Sequence, residues 1–172
     1  LYTNDFSLEP IDLPLDTDLA SASLSRNGNR LAMPNETWPE DGTAANLVIF
    51  DLENGGSSSY PTPVPGRLVW AHDDAAVLYS DGDSLVYRLP LDPAGVPAVV
   101  EGVLGMPISV SRDGEHILLS QYERGVSTTT LWSTSEAREV WSSPAGADFN
   151  GVAVSPSGTH ILGLDWKANV LT

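Results

Sequence analysis

The chain has 172 residues, 23 of them acidic and 8 basic, for a formal charge of −15. That balance leaves no basic patch to displace counterions from a nucleic acid, and it opposes attachment to an anionic membrane surface. No apolar run is long enough to span a membrane, and the absence of cysteine excludes disulfides, thiolate metal sites and a cysteine nucleophile within these residues.

No charged-then-apolar leader is visible, and the start at Leu1 fits either a removed leader or a piece of a longer chain. The first stretch, "LYTNDFSLEPIDLPLDTD", reads as the third and fourth strands of a sheet whose beginning is absent (partial unit 1–20). Unit 21–65 follows. "SLSRNGNRLAM", Ser23 to Met33, reads as two short strands around a glycine turn. A polar insertion, "NETWPEDGTAAN", carries Trp38, Glu40 and Asp41. Trp38 is the tryptophan expected at the surface, and these three are candidate partner-binding residues. "NET" also matches a glycosylation acceptor, and "PEDG" reads as a turn. "NLVIFDL" then reads as a third strand, "ENGGSS" as a turn and "SYPTPV" as a fourth strand.

Unit 66–104 repeats the plan with a degenerate turn, Ala71 to Ala76, where Asp74 stands in the glycine position. Aspartate accepts left-handed geometry more readily than most residues. "AVLYSDGDSLVYRL" is a hairpin, with Asp81-Gly82 expected to supply the positive φ. "DGDS" resembles the start of a calcium loop but lacks the remaining ligands. "VPAVVEG" closes the unit. Unit 105–147 opens with "SVSRDGEHILLS", continues through Arg124-Gly125-Val126, a candidate contact loop with Arg124 as a binding residue, and reaches "TTTLWST" and "REVWSSP". Partial unit 148–172 repeats "AVSPSGTHILGL" and stops in or before its third strand.

The anchors Ser25, Ala71, Ser111 and Ser155 lie 46, 40 and 44 residues apart. That period fits a four-stranded sheet that cannot cover both faces alone and is stacked on twisted neighbours around an axis. Fourth strands carry the prolines, as outer edges tolerate them. Trp70 and Trp132 fall within strands and are expected in the core.

The turn Ser111-Arg112-Asp113-Gly114-Glu115-His116-Ile117 resembles the "SPDG" turn of the TolB-like and WD40-like β-propeller superfamily, over about Ser21 to Thr172. The His and Trp-Asp signature of strict WD40 repeats is missing. The resemblance implies an all-β propeller of about four blades in this chain, either a four-bladed ring or part of a ring of about six to eight. The larger ring is the expectation. The superfamily includes periplasmic scaffold proteins and propeller domains of prolyl-oligopeptidase-like peptidases. It therefore implies a non-catalytic scaffold for protein–protein interaction at the bacterial envelope or surface, or alternatively a substrate-gating propeller of a serine hydrolase whose catalytic domain lies outside the chain.

Chemistry within these residues is not expected. No serine sits in G-x-S-x-G, and Lys167, the only lysine, is in no phosphate-binding loop. His116 and His160 share one repeat position and read as surface turn residues. His72 beside Asp73 and Asp74 is the best local ligand cluster, but it too lies in a turn. The reading is no cofactor, no metal, no nucleic acid and no membrane insertion. An unidentified protein partner is expected, with self-association or further blades as additional partners.

Overall fold

The computed structural model describes residues 22–35, 46–62, 66–81, 84–92, 95–123, 125–144, 149–165 and 170–171. Among these residues there is no helix, and every regular element is a strand. The strands form four antiparallel meanders in chain order. The first holds β1 (Ser23–Leu24), β2 (Arg30–Asn35), β3 (Asn46–Asp51) and β4 (Ser57–Pro61). The second holds β5 (Leu68–Trp70), β6 (Ala76–Ser80), β7 (Leu85–Pro90) and β8 (Ala98–Leu104). The third holds β9 (Met106–Val110), β10 (His116–Glu123), β11 (Val126–Ser133) and β12 (Arg138–Ser142). The fourth holds β13 (Phe149–Val154), β14 (Ile161–Asp165) and β15 (Val170–Leu171).

The core lies between sheets, and the period of two along each strand explains how. On β6, Val77 and Tyr79 face the first sheet and meet Ala32, Leu47 and Ile49. Leu78 points the other way and meets Val110, Ile117 and Leu119. On β10 the alternation repeats, with Leu118 turned toward Val154 and Ile161 of the fourth sheet. Every residue of β6 is buried, because a neighbour covers each of its faces. Each such aliphatic side chain contributes roughly 1.5–3 kcal/mol.

The first strands of successive sheets lie side by side, β1 on β5, β5 on β9 and β9 on β13. Among the described residues the fourth and first sheets share no comparable packing. The described sheets thus form an arc rather than a closed ring.

Two strand ends differ from expectation. The fourth strand of the first sheet begins at Ser57 rather than Ser59. The Asp51 carboxylate accepts the Glu53 and Asn54 N–H groups, and Gly55 takes φ 70°, so the chain reverses sooner. In the second sheet β8 runs on past Gly102 to Leu104 through a bulge opposite β7. Gly102 has φ 77°, and the Trp132 ring lies against it, 3.0 Å from where a Cβ would stand. Trp132 is partly buried there, and Trp70 is fully in the core.

Candidate functional site

Each sheet carries the same turn between its first two strands. The fourth turn residue has a left-handed backbone in all four copies: Gly28 at φ 78°, Asp74 at 55°, Gly114 at 78° and Gly158 at 71°. Its N–H donates to the anchor carbonyl of Ser25, Ala71, Ser111 or Ser155. The anchor N–H in turn donates to the carbonyl of the sixth residue. Where the anchor is serine, its Oγ accepts the N–H of Arg30, His116 or His160. The third residue, Asn27, Asp73 or Asp113, accepts the N–H two positions on at 3.0 Å.

These turns gather at one end of the arc and are occupied with one another. The Asp74 carboxylate accepts the N–H groups of Arg26 and Asn27 from the first sheet, at 2.9 and 3.0 Å. Arg26 also reaches the third sheet, donating to the carbonyls of Val110 at 2.7 Å and Ser111 at 3.0 Å. Arg112 N–H donates to the Pro156 carbonyl of the fourth. The rings of His72 and His116 fill the space over Gly114 and Gly158, where a Cβ would overlap them. This end of the molecule is a set of sheet-to-sheet ties.

The histidine cluster therefore dissolves. Asp74 serves Arg26 and Asn27, Asp73 serves Ala75 N–H, and His72 covers Gly114. His116, expected as a surface residue, is only partly exposed, and its Nδ1 is buried against the fourth sheet with no hydrogen-bond partner. The reason is that the next sheet's turn is closed over it. His160 is exposed, as expected. Asp81 caps a hairpin rather than a cation loop: it accepts Leu85 N–H at 3.0 Å and the Tyr87 hydroxyl at 2.9 Å. The positive φ described there belongs to Ser84, at 64°, and Gly82 lies outside the described residues.

The opposite end is open. It carries the connections between second and third strands and those leading from one sheet to the next. The β10–β11 hairpin is eight residues on each side, against five in β9 and β12, so it stands beyond its sheet. Its last pairs are Tyr122 with the buried Ser127 and Glu123 with Val126. Tyr122 is 78% exposed and Val126 45%. Leu104 and Met106, at the passage from the second sheet to the third, are also exposed. They are held beside the hairpin because Gln121 Nε2 donates to the Leu104 carbonyl at 2.9 Å and Gly105 packs on Gln121. A groove of about 590 Å³ opens beside Met106 toward the first strands, bordered by Ser23, Gly66 and Arg67.

Trp38, Glu40, Asp41 and Arg124 lie outside the described residues, as does the rest of 36–45. By connectivity, 36–45 joins β2 to β3 and Arg124 joins β10 to β11, so both join the strand ends at the open end. Sequence reasoning named Val126 but passed over Tyr122, Leu104 and Met106. The available signal was a tyrosine continuing "HILLSQY" beyond the length its neighbouring strands could cover.

No family profile and no curated protein matches the sequence. Solved structures do match. TolB from Acinetobacter baumannii superposes with a TM-score of 0.62 at 16% identity, over 84% of this chain and 41% of that one. The β-propeller domain of Myceliophteria thermophila Cps50 (Swd1) gives 0.56 at 15% identity, over 84% of this chain and 48% of that one. The chain has a β-propeller fold. The tricorn protease also matches, with a TM-score of 0.58 at 10% identity, over 80% of this chain and 14% of that one. This propeller thus spans less than half the length of each of these structures, and its four sheets are blades that fit a partial ring.

Proposed function

We propose that this propeller is a non-catalytic scaffold that holds a protein partner at its open end. The observation that carries the reading is the projecting β10–β11 hairpin, with Tyr122 78% exposed at its tip and Leu104 and Met106 exposed at the passage between the second and third sheets. Exposed aromatic and aliphatic side chains on a rigid support are what interface anchors require. Trp38, Glu40, Asp41 and Arg124 are assigned to the same contact, because their connections join the strand ends there. The acidic composition favours a partner surface with basic groups at its rim. Resemblance to TolB-like repeats, which include periplasmic scaffolds, supports a place at the bacterial envelope or surface. The tricorn match covers 14% of that chain and does not favour a peptidase-linked role.

The test is site-specific photo-crosslinking in native extract, with a benzophenone side chain at position 122 and, as comparison, at Glu53 in the turn-bearing end. A discrete protein adduct from position 122 alone, diminished by Met106→Asp, is expected. Equal labelling from both positions, or adducts indifferent to Met106→Asp, would remove the reading.

A further inference from the structure

We propose that Met106 is an oxidation site whose sulfoxide releases the protein held at the open end; the proposal rests on the reading of that end as a binding surface. The chain has no cysteine and two methionines, so its sulfur chemistry is confined to two thioethers. They sit in opposite surroundings. Met33 is 1% exposed within β2, whereas Met106 is 39% exposed at the start of β9. Oxidation of methionine follows access to the sulfur, so the fold selects between them.

The backbone on both sides keeps Met106 at the surface. Gly105 N–H donates to the Ser84 carbonyl at 2.8 Å. Gly105 also lies so close to the third sheet that a Cβ there would stand 2.8 Å from the Ser120 carbonyl oxygen. Met106 itself pairs with Ser120, and the next residue, Pro107, is buried. Alternation along β9 sends Met106 and Ile108 to one face, and both border the groove of about 590 Å³. The thioether is thus held where a partner at the open end would cover it.

In its reduced form this side chain is apolar and polarizable, which suits close contact with a partner. The oxidant is a hydroperoxide. A sulfur lone pair attacks one peroxide oxygen, the O–O bond breaks and an S–O bond forms. With hydrogen peroxide, the transferred oxygen gives its proton to the departing hydroxide, which leaves as water. Sulfur loses two electrons and the peroxide gains them, so no further reagent is needed. The product is polar and accepts hydrogen bonds where the thioether was apolar. In the free chain that oxygen is satisfied. The groove admits water, and Arg67, the one cation bordering it, has no hydrogen-bond partner among the described residues. Beneath an apolar partner surface the oxygen loses those partners, so the sulfoxide favours the unbound state.

The purified chain would be treated with dilute hydrogen peroxide and then freed of it, with methionine oxidation followed by peptide mass mapping. Met106 should oxidise at least about tenfold faster than Met33. The urea midpoint of the product should stay that of the untreated chain. Photo-crosslinking from position 122 in gel-filtered extract then reads binding. Adduct yield should fall at least about fivefold on oxidation. It should recover after treatment with the reductases for both sulfoxide epimers. The same loss and recovery should occur in Met33→Leu, where Met106 is the only sulfur and core volume is nearly conserved. Oxidation of both methionines at similar rates, or unfolding of the product, overturns the proposal. So does an adduct that survives full oxidation of Met106, and so does a loss that the reductases do not reverse. Those results leave the open end as a binding surface. A chain that yields no adduct before peroxide removes that reading, and the switch with it.

Discussion

Asp113 shows how much of a turn rests on one carboxylate. It accepts the Ser111 hydroxyl at 2.6 Å and the Glu115 N–H at 3.0 Å. These bonds, the Ser111 hydroxyl first, hold its pKa below the ordinary 3.8. A carboxyl depressed in the folded state adds stability above its unfolded value, and that stability is lost as pH falls through the folded value. Asn27 makes the same two bonds in the first blade, with Ser25 at 2.8 Å and Asn29 at 3.0 Å. Asp113→Asn should therefore keep the turn and remove the proton linkage. Its destabilisation, read as the urea midpoint, should be greatest near neutrality and shrink as pH drops below 3.8. A difference independent of pH would show that the charge is not what the turn uses. The equivalence of Asn27, Asp73 and Asp113 was legible in sequence, because one turn imposes one pattern of acceptors. The tolerance of Asp74 for a left-handed backbone was legible too. Its service to Arg26 and Asn27 was not, since those partners are distant in sequence and depend on how one sheet sits on the next.

Between elements, the turn glycines do two different things. Gly28 and Gly158 both have positive φ, but a Cβ at Gly28 meets nothing, whereas at Gly158 it meets the His116 ring. Gly28→Ala should cost about 1 kcal/mol, from backbone conformation alone. Gly158→Ala adds a steric conflict and should cost at least about 2 kcal/mol. The excess belongs to one contact, so Gly158→Ala and His116→Ala should couple by about 1 kcal/mol or more in a double-mutant cycle. Additive effects in denaturant unfolding would mean that the imidazole yields without resistance. The glycines announce themselves in the repeat, and strand positions followed from alternation. What faces a glycine is set by the neighbouring blade, and a surface reading of His116 was the natural result of considering one blade at a time. The open end was legible only as connections: Arg124 and the Trp38 insertion mark it. The reach of Tyr122 depends on a hairpin outgrowing its sheet, a comparison of lengths that propensity does not supply.

For the molecule as a whole, each blade contacts its neighbours, and stability should be close to a sum over interfaces. The sequence counted the units and favoured a slice of a larger ring on the repeat motif alone, since equivalent leucines look alike whether covered or not. Their burial separates them. Leu118 is enclosed between the third and fourth blades, and its truncation to alanine should cost roughly 2–5 kcal/mol. Leu162 has the same place in the repeat, yet its outward face is bare, so Leu162→Ala should cost less than about 1 kcal/mol in this chain. Calorimetric or urea unfolding of the two variants side by side measures the asymmetry. Equal losses would mean that the fourth blade is enclosed like the third, and that the arc closes on itself after all.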